Sequence, residues 1–219
     1  MTSERTDSTA AAVTLHHRVE PEDQARADFY ALLSQLYADA PDAALLGAIA
    51  AAPPLAGAIA NSEDGRDLPA AWNLLRAASE AMDPEAAADE YNTLFVGVGK
   101  SEVNLHASHW LTGFMMETPL VHVRAALARL DLARRPGVTL VEDHLASLFE
   151  TMRILIAGDN DRRPVAVAEQ RGFFTAHIEP WVFRCCNAIQ QSPVANYYRR
   201  VAQFTDSYVA VERDSFAID

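Results

Sequence analysis

Apolar residues recur at three- and four-residue intervals along almost the whole of this chain, and nowhere do they alternate with polar ones over the length a half-buried strand requires. The clearest case is Tyr197, Val201, Phe204, Tyr208 and Val211, which follow i, i+4, i+7, i+11 and i+14 and define a helix packed by one face. A second stripe, Val141, Leu145, Leu148, Phe149, Met152, Leu155 and Ile156, has the same spacing. The pattern predicts an all-α fold, a helical bundle of roughly nine or more helices. With 219 residues the chain can bury roughly 70% of its unfolded surface, enough for one large domain or two small ones.

Helix ends can be read from their punctuation. Phe29, Leu32, Leu33, Leu36 and Tyr37 mark a first helix that ends at Asp39 to Pro41. Residues 43–60 contain Pro53-Pro54 and much alanine, and predict a broken pair of weak helices and no membrane span. A helix over Leu68 to Met82 follows the polar break Asn61 to Gly65. Asp83-Pro84, a good N-cap followed by proline at the first helical position, opens the next, which runs through Phe95 and stops at Gly97 and Gly99. A loop to Leu105 then leads into one long helical segment from about Ser108 to Leu130. Arg134-Arg135-Pro136-Gly137 breaks the pattern, and the chain divides there: a disordered tail over residues 1–19, an N-terminal helical half over 20–132, a linker over 133–138, and a C-terminal helical half over 139–219. Beyond the linker the reading gives a helix led by Glu142, a turn at Gly158 to Asp161, a helix through Phe173-Phe174, another after Glu179-Pro180-Trp181, and a last one from Pro193.

Charge and cysteine content narrow the function. The net charge is −12. It is unevenly placed, since residues 1–99 carry 5 Lys/Arg against 16 Asp/Glu and residues 100–219 carry 13 against 14. An acidic half repels phosphate backbones and anionic lipid and favours a basic peptide, so no nucleic-acid partner is expected. The two cysteines, Cys185 and Cys186, are adjacent and close no useful loop, which suits a reduced, cytoplasmic protein.

Among candidate chemical groups, Glu142-Asp143-His144 stands out. It is placed on the leading turn of the second stripe's helix, where acids face the positive end of the helix dipole and cap free N–H groups. The adjacent histidine is what capping leaves unexplained. His106 and His109, with Glu102 or Glu117, have a spacing that could serve a metal, but no HExxH sequence or Cys/His quartet accompanies them and no metal site is assigned. Gly97-Val98-Gly99-Lys100-Ser101 lacks the frame and the preceding strand of a phosphate loop, and reads as a helix C-cap. No catalytic residue is assigned, and no motif calls for a cofactor, guanine nucleotide and molybdopterin included.

The segment Glu90-Tyr91-Asn92-Thr93-Leu94-Phe95-Val96-Gly97-Val98-Gly99, then Ala107-Ser108-His109-Trp110-Leu111-Thr112-Gly113-Phe114, then Glu142-Asp143-His144-Leu145, and finally Phe173 to Trp181 with its His-x-x-Pro-Trp ending, together resemble the TorD/DmsD family of redox-enzyme maturation chaperones. The likeness spans roughly Phe29 to Phe216. It implies an all-helical cytoplasmic protein, not itself an enzyme, that binds the apo form of a molybdopterin-dependent oxidoreductase, often through its twin-arginine signal peptide, while cofactor is inserted. It also places signal-peptide recognition on Asp143 and His144, with Glu142, Tyr91, Leu94, Phe95, Ser108 and Trp110 as further client-binding candidates. One departure is that the loop before Ser108 has Leu105-His106 where the family commonly carries Pro-Tyr. The physical reading agrees, because paired guanidinium groups followed by an apolar stretch call for carboxylates beside an apolar groove.

Two other classes stand beside this one. A ligand-sensing all-α transcription regulator needs a basic contact surface that the first 99 residues do not offer. A helical metal-dependent enzyme built on His106 and His109 predicts stoichiometric metal. Monomer and domain-swapped dimer both stay open.

Overall fold

The computed structural model describes residues 19–55, 66–97, 101–135, 137–159 and 162–218. The expected tail, the second weak helix before Gly65 and the middle of the Gly97–Ser101 loop lie outside these residues. The described residues form ten α-helices: α1 Pro21–Ala38, α2 Ala43–Ala51, α3 Leu68–Ala81, α4 Pro84–Tyr91, α5 Ala107–Thr112, α6 Thr118–Arg129, α7 Leu145–Ala157, α8 Val167–His177, α9 Glu179–Gln191 and α10 Tyr197–Ile218. A single π-helical turn, Asn92–Val96, continues α4 and closes on Gly97, whose φ of 64° is accessible to glycine at little cost. The all-α expectation holds among these residues.

Local chemistry explains most of the helix starts. Asp42, Asp67 and Asp83 each accept a hydrogen bond from a backbone N–H one turn into α2, α3 and α4. α10 has a cap supplied from elsewhere. The Glu90 carboxylate, on α4, accepts from the N–H groups of Asn196, Tyr197 and Tyr198 at 2.8, 3.0 and 2.8 Å. That is why α10 begins at Tyr197 and not near Pro193.

One core runs through the molecule, drawn from both sides of the 133–138 segment. α1 lies along α7, while α10 packs against both α9 and α3. The partly buried Phe29 packs against this core, meeting Trp72, Phe204 and Tyr208 with ring centroids 5.2–5.4 Å apart. Arg26 and Glu212 form a two-bonded ion pair, at 2.8 and 3.0 Å, that ties α1 to α10. Charged groups this deep are kept only when paired, as these are.

Besides the start of α10, two expectations need correction. The helical segment from Ser108 to Leu130 is broken: α5 ends at Gly113, in the left-handed conformation with φ 85°, and α6 restarts at Thr118-Pro119. The intervening Phe114 and Met116 are 70% and 71% exposed, so no core contact compels the helix to continue. Glu142 and Asp143 are also outside α7. The helix begins at Leu145 with His144 as its N-cap, and the two acids belong to the segment before it. No helix among the described residues is long and apolar enough to cross a membrane.

Candidate functional site

Two loops meet at the entrance to α5 and α7. The Ala107 N–H donates to the Asp143 carbonyl at 2.9 Å and the Leu145 N–H donates to the Leu105 carbonyl at 2.8 Å, an antiparallel bridge pairing His106 with His144. This fastening aligns the two helix starts. Asp143 then serves the neighbouring helix: its Oδ2 accepts from the Ser108 N–H at 3.0 Å, in the first turn of α5. Asp143 is 1% exposed and Ser108 is fully buried. The Ser108 hydroxyl in turn accepts from the Glu117 N–H at 3.3 Å, holding the loop between α5 and α6.

His144 caps its own helix. Its Nδ1 accepts from the Ala146 N–H at 3.2 Å, which fixes the neutral ring with its proton on Nε2. Burial, and secondarily the charge of nearby His106, push the His144 imidazole down to about 3. The two rings touch edge to face, 4.8 Å between centroids. His106 is lowered as well, by burial first, against the opposing pull of Asp143. Asn104 organises this corner: its side-chain oxygen accepts from the His106 N–H at 2.9 Å, and its carbonyl accepts from the Trp110 indole N–H at 2.7 Å.

Tyr91, Leu94 and Phe95 sit on the far side of the same loop. The Leu94 carbonyl accepts from the Val103 N–H at 2.8 Å, tying the π turn to the segment that leads to His106. Tyr91 and Leu94 are buried. The half-buried Phe95 meets Tyr37, Tyr91 and Tyr198 edge to face. These three therefore support the loop from within the core, and Trp110 is half-buried beside it.

Glu142 differs from its neighbours because it reaches a cleft. A cavity of about 300 Å³ opens between α1, the end of α6, the linker and α7. Leu127, Leu132, Val138, Leu140 and Ile154 supply apolar walls, while Glu142 and Glu150 bring carboxylates to it. Both Arg124 Nε and Nη2 donate to Glu142 Oε2, at 3.1 and 3.0 Å. Arg134 Nε lies 3.9 Å from Glu142 Oε1. Burial alone would raise the Glu142 carboxyl, but the hydrogen bonds and charge of Arg124, with Arg134 behind them, outweigh it and hold it below the ordinary carboxylate range. Glu150 is paired within its own helix to Arg153 at 2.8 Å.

The structure thus brings Ser108, Asp143 and His144 into one buried junction with the half-buried Trp110 at its side, puts Tyr91, Leu94 and Phe95 behind it, and leaves Glu142 on the cleft. Sequence reasoning did not find Glu150, Arg124 or the apolar wall residues as a site. Arg124 and Glu142 are 18 residues apart with a loop between them, and no local spacing joins them. Among the described residues no group of three or more His, Cys, Asp or Glu is arranged to hold a metal ion. Cys185 and Cys186 are free and buried, and burial pushes both thiols up, away from the reactive thiolate.

Comparison with known proteins supplies the remaining context. Comparison with curated proteins gives no match. Among solved structures, a redox enzyme maturation protein from Archaeoglobus fulgidus superposes with a TM-score of 0.54 at 15% identity, covering 89% of this chain and 96% of that one, a likeness of fold. The profile of the nitrate reductase delta subunit family matches residues 61–187, more than half of the chain and a span that takes in the Tyr91–Phe95 turn, the α5 junction and Glu142-Asp143-His144. The chain belongs to that family and so to the TorD/DmsD-type redox-enzyme maturation chaperones.

Proposed function

We infer that this protein is a cytoplasmic chaperone that holds the apo form of a molybdopterin-dependent oxidoreductase while that enzyme receives its cofactor before export, contacting the client's twin-arginine signal peptide in the cleft beside Glu142. The observation that carries this reading is an ionised carboxylate at the edge of an apolar cleft of about 300 Å³. An arginine side chain needs a carboxylate in reach, and the apolar residues that follow it need a wall of the Leu127, Leu140 and Ile154 kind. Family membership favours this reading over a transcription regulator or a metal-dependent enzyme.

The division of labour differs from the one the sequence suggests. The Asp143 charge is spent on the α5 start, and His144 is neutral and buried on its own helix, so the contact with a guanidinium falls to Glu142. Asp143, His144, Ser108 and Trp110 position it by fixing the loop from which it projects. Tyr91, Leu94 and Phe95 brace that loop one layer further in. The proposed role needs no cofactor of the protein's own and no catalytic residue.

Fluorescence anisotropy with a labelled peptide of two arginines followed by apolar residues tests the reading. Saturable binding is expected, and Ser147→Phe, which puts a large ring into the cleft floor, should weaken it at least ten-fold. Absence of saturable binding to the folded wild-type protein would refute the proposed contact.

A further inference from the structure

The loop between α5 and α6 shows to solvent the kind of side chain that a fold ordinarily buries. Leu111, Phe114, Met115, Met116 and Val121 are 41–71% exposed, all within residues 111–121. Single exposed apolar residues are ordinary, but a contiguous patch of them marks a contact surface. The backbone beneath the patch is well tied. Thr112 Oγ1 donates to the Ser108 carbonyl at 2.8 Å and accepts from the Phe114 N–H at 3.3 Å, and Asn104 Nδ2 donates to Met115 Sδ at 3.3 Å. The Ser108 hydroxyl holds the Glu117 N–H at the far end. Met116 is kept at φ 59°, a left-handed backbone that methionine adopts only where its surroundings impose it. Polar contacts thus hold the loop with its apolar side chains outward. Leu111 also lines a recess of about 60 Å³ with Pro119, Val123, His122 and His177, room for the end of one apolar side chain.

We propose that this loop is a second client surface, which takes an apolar segment of the unfinished enzyme flanked by lysines and lying outside its arginine pair. The inference rests on the holding role proposed above and not on the cleft at Glu142. Charge selects the occupant. Glu102, in the segment leading to Asn104, and Glu117, next to Met116, are exposed and make no ion pair among the described residues. Arg184 also reaches this corner, but it lies 6.0 Å over the Trp110 ring and donates to the Pro180 carbonyl. In a two-fold contact the same patch meets itself, so a second copy of a chain with net charge −12 would bring both copies' unpaired glutamates into one interface. A lysine-flanked segment meets those acids with its ends and the apolar surface with its middle. Methionine suits such a surface, because its flexible, polarisable side chain repacks around apolar partners of differing shape.

The test titrates a labelled arginine-free peptide, leucine and alanine at helical spacing with lysines at both ends, into the full-length protein by fluorescence anisotropy. Phe114→Asn/Met116→Asn removes the patch, and asparagine tolerates the left-handed backbone at Met116. Val167→Asn/Val194→Asn is the control, since these valines are 40% and 43% exposed elsewhere on the surface. Urea unfolding confirms that each variant folds. Wild type and the control are expected to bind alike, Phe114→Asn/Met116→Asn roughly ten-fold or more weakly, and Glu102→Gln/Glu117→Gln roughly two- to four-fold more weakly at low salt. Equal binding by every variant overturns the surface, as does equal weakening in the valine control. A wild-type dimer that sediments as a monomer after Phe114→Asn/Met116→Asn also overturns it, because the occupant is then a second copy. Wild type that binds the arginine-pair peptide but not the arginine-free one overturns the surface and leaves the cleft standing. The reverse result upholds the surface and refutes the cleft.

Discussion

Replacing Asp143 separates a positioning role from a contact role, and the structure sets the size of the effect. In Asp143→Ala the Ser108 N–H loses an ionised acceptor at 3.0 Å and is left without a partner in a fully buried position. Removal of a charged, buried acceptor costs about 2–3 kcal/mol, above the ~1 kcal/mol of an exposed cap. In a chain of this length that is a fall in Tm of roughly 4–12 °C. Asp143→Asn keeps an oxygen for the same N–H and should cost about 1 kcal/mol. Urea unfolding followed by circular dichroism reads both values, and hydrogen exchange at Ala107 and Ser108 localises the damage to the α5 start. The reasoning fails if Asp143→Ala unfolds within about 0.5 kcal/mol of wild type while losing the client peptide, because the carboxylate would then be a contact and not a cap.

Further expectations follow from the same geometry. His144 has its folded value pushed down to about 3, against 6.5 for the free side chain. The unfolded chain therefore binds a proton that the folded one refuses between those values, and the associated stability, complete above about pH 6.5, falls with acidification by up to about 1.4 kcal/mol per pH unit down to about 3. His144→Asn retains a good N-cap and should flatten that slope in urea unfolding at pH 7.5, 6 and 5, leaving the smaller part due to His106 and His177, which burial also lowers. An unaltered slope would clear His144 of the effect. Glu90→Ala removes the acceptor shared by three N–H groups at the α10 start and should destabilise the protein by roughly 2–4 kcal/mol, with exchange protection lost first at Tyr197 and Tyr198. Loss confined to α4 would contradict the cross-helix cap.

The helices were legible because their signals are local. Apolar spacing over Val141 to Ile156 and Tyr197 to Val211, and the Asp83-Pro84 start, each depend on residues within a turn or two of one another. The break at Gly113 was legible too, had the Thr118-Pro119 start been set beside it, since glycine just past one helix and proline just inside the next are paired signals. The α7 start misled for a physical reason: Asp143 has the chemistry of a cap but spends it on α5, 35 residues away, and His144 takes the local position. Glu90 misleads about α10 in the same way, across 107 residues. The cleft itself was out of reach, because its walls come from α1, α6, the linker and α7 and its charge from a pair that only folding brings together.

The central claim is that Glu142 meets the client's arginine while Asp143 holds the loop in place, and one set of titrations tests it most directly. The labelled arginine-pair peptide is titrated into wild type, Glu142→Gln and Asp143→Asn, each at a temperature where unfolding curves show it folded. The account predicts roughly three- to ten-fold weaker binding for Glu142→Gln, the loss of one partly exposed charge-assisted contact, and wild-type affinity for Asp143→Asn. Undiminished binding by Glu142→Gln, with binding abolished in folded Asp143→Asn, would contradict it.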